Sequence, residues 1–502
     1  MKKILLRILR TCIFIVLTIC LLLSLQHTMI STTDVGITKY YYKTDRKTDI
    51  VLLGPSTVTF GLYPALLWDS FGYTSYNLGT GSQSLGISYY LLKEAVRQNS
   101  PDVVVLDCGR AFRDETVGNT AYLHYVTDNM PLFSRNRLDM INALSTGFTE
   151  QEKLALLVPM IGYHTRWDEL EKADFEGNEK EMSWGARVST AVKYEGQYDL
   201  FEVNTENALG ASSVEYLGKI AELCRQNGAE LMLITMPLLS RYKGIDQEEY
   251  EKRINAAYAL ESYASRNGLQ YLNLIDKGEQ IGLIPEKESK DGLHINYEGA
   301  LKLTGYIGSY IHDHFAIKDH RNEKGYESFE KKYEEYLDYL PEGALRSANN
   351  LEVYLKWLGE IDPDRYLIVI TEIRSQMLHP FIDYRESFEA LGLQTDRTFS
   401  SYTVIDGGRV IAERSVPYPD TFPDEEVPFH YEDEDRGLKI SLDPADQAVI
   451  INGTNYIEEQ TGFHIVVYDK EQKDLADCIG IDTERNRYIV KHYNALNYSY
   501  KD

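Results

Sequence analysis

The sequence predicts an α/β protein, in which a parallel sheet covered by helices carries a large insertion and is followed by a smaller α/β domain. Three observations lead there. Between residues 49 and 320, five compact apolar runs alternate with amphipathic helical patterns, the signature of strands buried on both faces. A segment of more than a hundred residues, 110–211, separates the third run from the fourth. A basic and then apolar N-terminus precedes everything else. At roughly 100 to 200 residues per domain, 502 residues make two or three globular units, and a hydrophobic fraction of 43% supplies their cores.

Lys2, Lys3, Arg7 and Arg10 all precede the apolar run Thr11 to Leu25. That run is short for a span of roughly 20 residues, but Ile4 to Leu9 extend it with Arg7 snorkelling. No small-x-small cleavage site follows in Ser24 to Met29. Residues 1–28 therefore read as an uncleaved transmembrane signal anchor with its N-terminus in the cytoplasm. The expected localisation is the cell membrane, single-pass, with the bulk of the chain extracytoplasmic. A polar stalk, 29–48, comes next.

Strands are expected at Ile50 to Leu53, Thr74 to Leu78, Val103 to Leu106, Glu230 to Thr235 and Gln270 to Ile275. Helices are expected at Tyr63 to Phe71, Ser84 to Gln98, Ser212 to Asn227, Asp246 to Asn267 and Glu298 to Phe315. The third of these opens with a capping-box pattern, Ser212-x-x-Glu215, and closes at Asn227-Gly228. The insertion carries helical signals at Glu150 to Met160 and Trp167 to Ala173, and reads as a cap over the sheet edge. Residues 321–344 form a charged helical linker. From 345 to 502 a second domain alternates helices at Asn350 to Leu358 and Tyr384 to Leu391 with strands at Tyr366 to Thr371, Ser401 to Ile405, Ala448 to Ile451 and His464 to Tyr468. The acidic, Pro-containing Pro417 to Asp435 is expected to be a surface loop.

Charge narrows the function. With 52 basic and 77 acidic residues the formal net charge is -25, which repels a phosphate backbone and argues against nucleic acid as a partner. Cys12 and Cys20 lie in the apolar segment and Cys108, Cys224 and Cys478 are far apart, so neither a disulfide framework nor a thiolate zinc site is expected. No Walker loop, dinucleotide pattern or metal-binding His cluster is present, His312, His314 and His320 being read as solvated. No cofactor and no metal are expected.

The chemistry gathers where strands end. The first strand runs into Gly54-Pro55-Ser56, which puts a serine at the carboxyl edge of the sheet, where open α/β folds bind ligands. Asp291-Gly292-Leu293-His294 lies after the fifth strand, before the last helix. With strand order 2-1-3-4-5 both loops open on one edge, so His294 can act as base to Ser56 while Asp291 orients the imidazole. The alternative is that Ser56, Asp291 and His294 cap local backbone.

Gly54-Pro55-Ser56, Asn77-Leu78-Gly79-Thr80-Gly81 and Asp291-Gly292-Leu293-His294 resemble blocks I, II and V of the SGNH or GDSL hydrolase superfamily, over about residues 40 to 320. The resemblance implies a three-layer αβα, flavodoxin-like sandwich. It implies Ser56 as nucleophile, His294 as base, Asp291 as its orienter, and the Ser56 and Gly79 amides as oxyanion donors. Two blocks depart from the pattern. Pro55 replaces the usual Asp, and Asp107-Cys108-Gly109-Arg110 stands where Gly-x-Asn-Asp should supply a further donor, which leaves Arg110 or the insertion to replace it. Within the insertion, Arg166 and Trp167 pair a cation with an aromatic ring, which reads either as a site where Arg166 binds an anionic polymer and Trp167 stacks on sugar, or as a packed aromatic beside a surface Arg that anchors the insertion to the sheet.

The anchor and insertion are similar to the membrane-bound branch of that superfamily, which includes the teichoic-acid D-alanylation protein and polysaccharide O-acetyltransferases. The implied function is an extracytoplasmic serine esterase or O-acyltransferase. Its expected partners are a cell-surface glycan or acylated polymer, the membrane, and other acyltransferase components of the envelope. The competing reading is a non-catalytic glycan-binding protein on a degenerate hydrolase fold. Gly462 to Asp469, with Ile481-Asp482-Thr483, also resembles the hairpin of the interleukin-like EMT inducer domain in circularly permuted order, with Asp469 and Asp482 read as turn residues.

Overall fold

The computed structural model describes residues 2–30, 41, 47–114, 119–131, 134–170, 183–373, 379–393, 400–416, 429–433, 437–443, 448–457, 462–484 and 487–493. It divides the chain into two compact units: 1–187 with 193–336, and 188–192 with 337–502. Most of the stalk and residues 171–182 of the insertion lie outside the described residues.

The first unit is built on five strands, β1 (Ile50–Leu53), β2 (Ser75–Asn77), β3 (Val103–Asp107), β4 (Glu230–Thr235) and β5 (Gln270–Asn273). They pair in parallel in the order β2-β1-β3-β4-β5. Every residue of β1 and β3 is buried, as expected of strands covered on both faces. The step from β1 to β2 runs opposite in direction to the later ones, so right-handed crossovers place its helices on the other face from those that follow. Accordingly, Pro64–Phe71 packs with the last helix, Tyr297–His314, whereas Leu85–Gln98 packs with Ala211–Asn227.

Helix ends follow the capping chemistry of the sequence. Ser84, Asp246 and Asn296 each accept a backbone N–H of the first turn, and Gly228 and Gly268 terminate their helices at φ 70° and 65°. The Ser212 capping box does not form. That helix begins at Ala211 behind Gly210, and the Ser212 amide and hydroxyl both bond Asp114 Oδ1, at 3.1 and 3.3 Å. The insertion contributes helices Thr120–Thr127, Arg135–Leu144, Glu150–Leu157 and Met160–Tyr163, with 3₁₀ turns at Arg166–Asp168 and Ser183–Gly185. Its keystone is the buried Arg137, whose guanidinium donates to the Thr127, Leu156 and Leu157 carbonyls and so satisfies helix-end groups that would otherwise be orphaned.

The second unit is antiparallel. β6 (Tyr366–Ile373), β7 (Ser400–Asp406), β8 (Arg409–Val416), β13 (Gly462–Asp469), β14 (Asp474–Glu484) and β15 (Arg487–His492) form one sheet in the order β15-β14-β13-β6-β7-β8. The strands β9 (Phe429–Asp433), β10 (Leu438–Asp443), β11 (Ala448–Ile451) and β12 (Thr454–Asn455) form a second. Alternate residues of both, among them Val369, Val404, Val466, Ile440 and Val449, share one core, the period-2 pattern of two sheets packed face to face. Phe381 and Phe388 pack on Phe463 of the larger sheet. The expected loop Pro417 to Asp435 thus contains a strand, β9; most of the rest of it lies outside the described residues. Asp469 plays the turn role read for it, accepting the Glu471 and Gln472 amides at 2.8 and 2.9 Å.

His320 is not solvated. It is buried, with Nε2 3.1 Å from Asp49 Oδ2, Nδ1 2.6 Å from Glu323 Oε2, and its ring stacked on Tyr326. Burial pushes the Asp49 carboxyl up, against the Thr74 hydrogen bond and the His320 charge. Removing one partner of a buried pair leaves the other uncompensated. His320→Ala is therefore expected to lower the unfolding free energy by about 3 kcal/mol, and adding Asp49→Asn to restore a good part of it. Denaturant titration of the full chain in detergent reads both, and an undiminished loss in the double variant would show that packing rather than charge was removed.

Candidate active site

Ser56 opens the short helix Ser56–Gly61, directly after β1, and several contacts fix it there. A Cβ on Gly54 would lie 2.6 Å from Val58 Cγ2 and 2.8 Å from Asp107 Cβ, so only glycine lets the chain turn this tightly beside β3. Pro55 precedes the helix with φ −70° and needs no N–H of its own. Thr57 Oγ1 donates to Asp107 Oδ2 at 2.7 Å. From the other side, Asn77 Nδ2 donates to the carbonyls of Val58 and Leu62 at 2.8 and 2.9 Å.

The loop after β5 meets this helix. His294 Nε2 lies 2.7 Å from Ser56 Oγ, and its Nδ1 lies 2.8 and 3.0 Å from the two Asp291 oxygens. A carboxylate only accepts, so the tautomer that satisfies both contacts is protonated on Nδ1, leaving the Nε2 lone pair to accept from the serine hydroxyl. Asp291 Oδ1 also accepts the Leu293 and His294 amides, at 3.1 and 3.0 Å, and so holds its own loop in shape. Gly292 sits at φ 99°, where a Cβ would fall 2.0 Å from the Arg241 carbonyl oxygen. Lys290 Nζ is 3.1 Å from Asp291 Oδ2 and 4.8 Å from the centroid of Phe60, whose ring in turn meets His294 edge-on at 5.1 Å. Burial alone would raise the Asp291 pKa. The hydrogen bonds and charge of His294, with the Lys290 ammonium, override burial and hold the carboxyl well below the usual range.

The three residues read as a triad are thus brought together. Gly79 is not available as an oxyanion donor, because its N–H is spent on Asn77 Oδ1 at 2.9 Å, and its Cα is packed against Thr59. The same loop instead presents Ser82, at φ 50°, to the pocket beside Ser56. A buried chain of side chains holds that turn: Thr80 Oγ1 to Gln83 Oε1 at 2.9 Å, and Gln83 Nε2 to Ser88 Oγ at 3.0 Å. At the third block, Asp107 is an acceptor, bonded by Thr57 and by the Gly109 amide at 2.8 Å, with burial pushing its carboxyl up. It braces the serine helix from β3, and Gly109 two residues on offers no side-chain donor.

The pocket at Ser56 is small, about 50 Å³, and is also lined by Thr57, Arg110, Leu293 and Arg253. Arg110 is therefore among the residues around Ser56. Arg253, 8% exposed and paired to Glu249 at 2.7 Å, is a buried cation there that no motif marked, since it comes from the middle of the helix Gln247–Asn267. The insertion also reaches this edge, because Tyr125 lies on Gly81, 2.8 Å from where a Cβ would be. Arg166 and Trp167 do not line the pocket. Arg166 Nη1 instead donates to the Met29 carbonyl at 2.7 Å. Among the described residues no group of His, Cys, Asp and Glu has the arrangement of a metal site.

No protein-family model and no curated protein matches the chain. Among solved structures, the chain is similar to a protein of Bacteroides fragilis assigned as an acylhydrolase, at 14% identity with a TM-score of 0.29, over 56% of this chain and 97% of that one. It is also similar to a GDSL-like lipase of Bacteroides thetaiotaomicron, at 13% identity with a TM-score of 0.29, over 57% of this chain and 99% of the other.

Proposed function

We propose that the chain is a serine acyl esterase or O-acyltransferase, anchored in a membrane by its N-terminal helix and acting on ester groups of cell-surface polysaccharide or teichoic-acid-like polymers. One observation carries the catalytic part: the unbroken line of contacts from Ser56 Oγ through His294 to Asp291. Ser56 Oγ attacks the ester carbonyl as its proton passes to His294 Nε2. The tetrahedral oxyanion is held by amides at the sheet edge, with Ser82 and Arg110 in place of Gly79 and the missing Asn. Collapse expels the alcohol, which takes the proton from His294, and leaves an acyl ester on Ser56. Water or a sugar hydroxyl, deprotonated by His294, then frees the serine. How far water is kept out selects between the two acceptors. The membrane part rests on Arg7–Gln26, a helix long and apolar enough to span a bilayer, and on the basic residues before it.

The alternative, a glycan-binding protein on a degenerate hydrolase fold, is favoured by one observation, the side-chain donor missing at Gly109, beside which Asp107 is an acceptor. Kinetics separate the two. Ser56→Ala and His294→Ala are each expected to remove most hydrolysis of p-nitrophenyl acetate and of an acetylated glycan, and the double variant to be little worse than either, since the two side chains act as one device. Equal rates for wild type and Ser56→Ala on both substrates would leave the binding reading as the better account.

The depressed Asp291 carboxyl generates a second expectation. A group whose folded pKa lies below its unfolded value of about 3.9 stabilises the fold above that pH, and the contribution is lost as pH falls through the folded value. Asp291→Asn is therefore expected to be less stable than wild type at pH 7, with the difference closing below about pH 4. Denaturant midpoints of the pair at pH 7 and pH 3 test this, and a constant gap would mean that the carboxylate charge contributes nothing.

A further inference from the structure

The insertion carries apolar surface that the catalytic site does not use. Leu154 and Val158 are 47% and 42% exposed and Trp167 is 57% exposed. Val158, Met160 and Ile161 face Ile19 and Leu22 of the N-terminal helix across a cleft of about 540 Å³, which has Gln26 and His164 as its polar members. Arg166, beside Trp167, holds the end of that helix through the Met29 carbonyl. This surface and the helix Arg7–Gln26 therefore occupy the same level of the molecule.

The level follows from the helix rise. At about 1.5 Å per residue, Leu22 and Ile19 lie roughly 6 and 10 Å below Gln26, on the side of the hydrocarbon core. The insertion residues opposite them share that depth, and it matches the roughly 5–10 Å to which interfacial helices sink. An aromatic ring and a guanidinium just above, Trp167 and Arg166, are the side chains that favour the headgroup layer. Water is the wrong solvent for a cleft walled by Ile19, Leu22, Val158, Met160 and Ile161.

We propose that the insertion dips into the outer leaflet beside the N-terminal helix, and that acyl chains of membrane lipids fill the cleft between them. The proposal rests on the reading of that helix as a membrane span and goes beyond it, since an anchor by itself requires no lipid contact from residues 154–167. Its chemistry is apolar contact with fatty acyl chains, with Trp167 at the headgroup boundary.

Tryptophan fluorescence tests it. Trp68, Trp184 and Trp357 are 3%, 3% and 8% exposed, so contact quenching by lipid reports on Trp167. The full chain is reconstituted into nanodiscs of phosphatidylethanolamine and phosphatidylglycerol, with and without lipid brominated on the upper part of the acyl chain. The expected result is that bromolipid removes the Trp167 share of the emission in wild type and has no effect on Trp167→Phe. If the chain remains in the discs through an alkaline carbonate wash but bromolipid quenches nothing, the span stands and the lipid contact of the insertion is overturned. If the wash strips the chain from the discs, the span itself fails and takes the proposal with it. Val158→Asp with Ile161→Asp provides a second measurement: weaker quenching with unchanged hydrolysis of a soluble ester is expected, and unchanged quenching counts against the cleft.

Discussion

A single wholly buried carboxamide, that of Asn77, ties the serine helix to the end of β2 and the loop that follows it. Its nitrogen donates to the carbonyls of Val58 and Leu62, at the two ends of the serine helix, and its oxygen accepts the Gly79 amide. A short helix cannot hold its own position through packing alone. With Asn77 on one side and Asp107 bonding Thr57 on the other, Ser56 is set against His294 by strands β2 and β3 rather than by the loop that carries it. Both supports are polar and buried, so loss of Asn77 deprives the Leu62 carbonyl and Gly79 amide of this partner, and loss of Asp107 the Thr57 hydroxyl and Gly109 amide, the costly case for a hydrogen bond.

The parallel sheet was legible because its signal is local. Strands buried on both faces read as unbroken apolar runs, and Ile50–Leu53 and Glu230–Thr235 fall where those runs lie. Helix ends with a side-chain cap or a terminal glycine were legible for the same reason. The capping box at Ser212 misled because Asp114, about a hundred residues earlier in sequence, competes for the same hydroxyl and amide. His320 misled in the same way, since its partner Asp49 lies at the other end of the domain.

In the site, Ser56, Asp291 and His294 were legible because each lies at a strand end in a short motif. Gly79 matches a donor by motif position alone, whereas the Asn77 oxygen two residues before it takes its N–H. Arg253 carries no pattern of its own. It reaches the pocket only because its helix follows β4, whose end adjoins that of β3 in the sheet. Arg166 and Trp167 have the composition of a sugar site and the location of a helix end, and composition does not encode location.

The size of the pocket at Ser56 limits what it can recognise. A space of about 50 Å³ has room for a few waters, at roughly 10–15 Å³ each on that measure, and so for a short acyl group. Even the best small ligands gain no more than about 1.5 kcal/mol per non-hydrogen atom, so the three of an acetyl group would supply at most about 4.5 kcal/mol, which corresponds to a dissociation constant of roughly 0.5 mM. On the proposed reading, an acyl group held there contributes little affinity of its own, so discrimination among the alcohols that bear it has to come from contacts outside the cavity. A truncated ester lacking those contacts would then bind weakly however well Ser56, His294 and Asp291 are aligned.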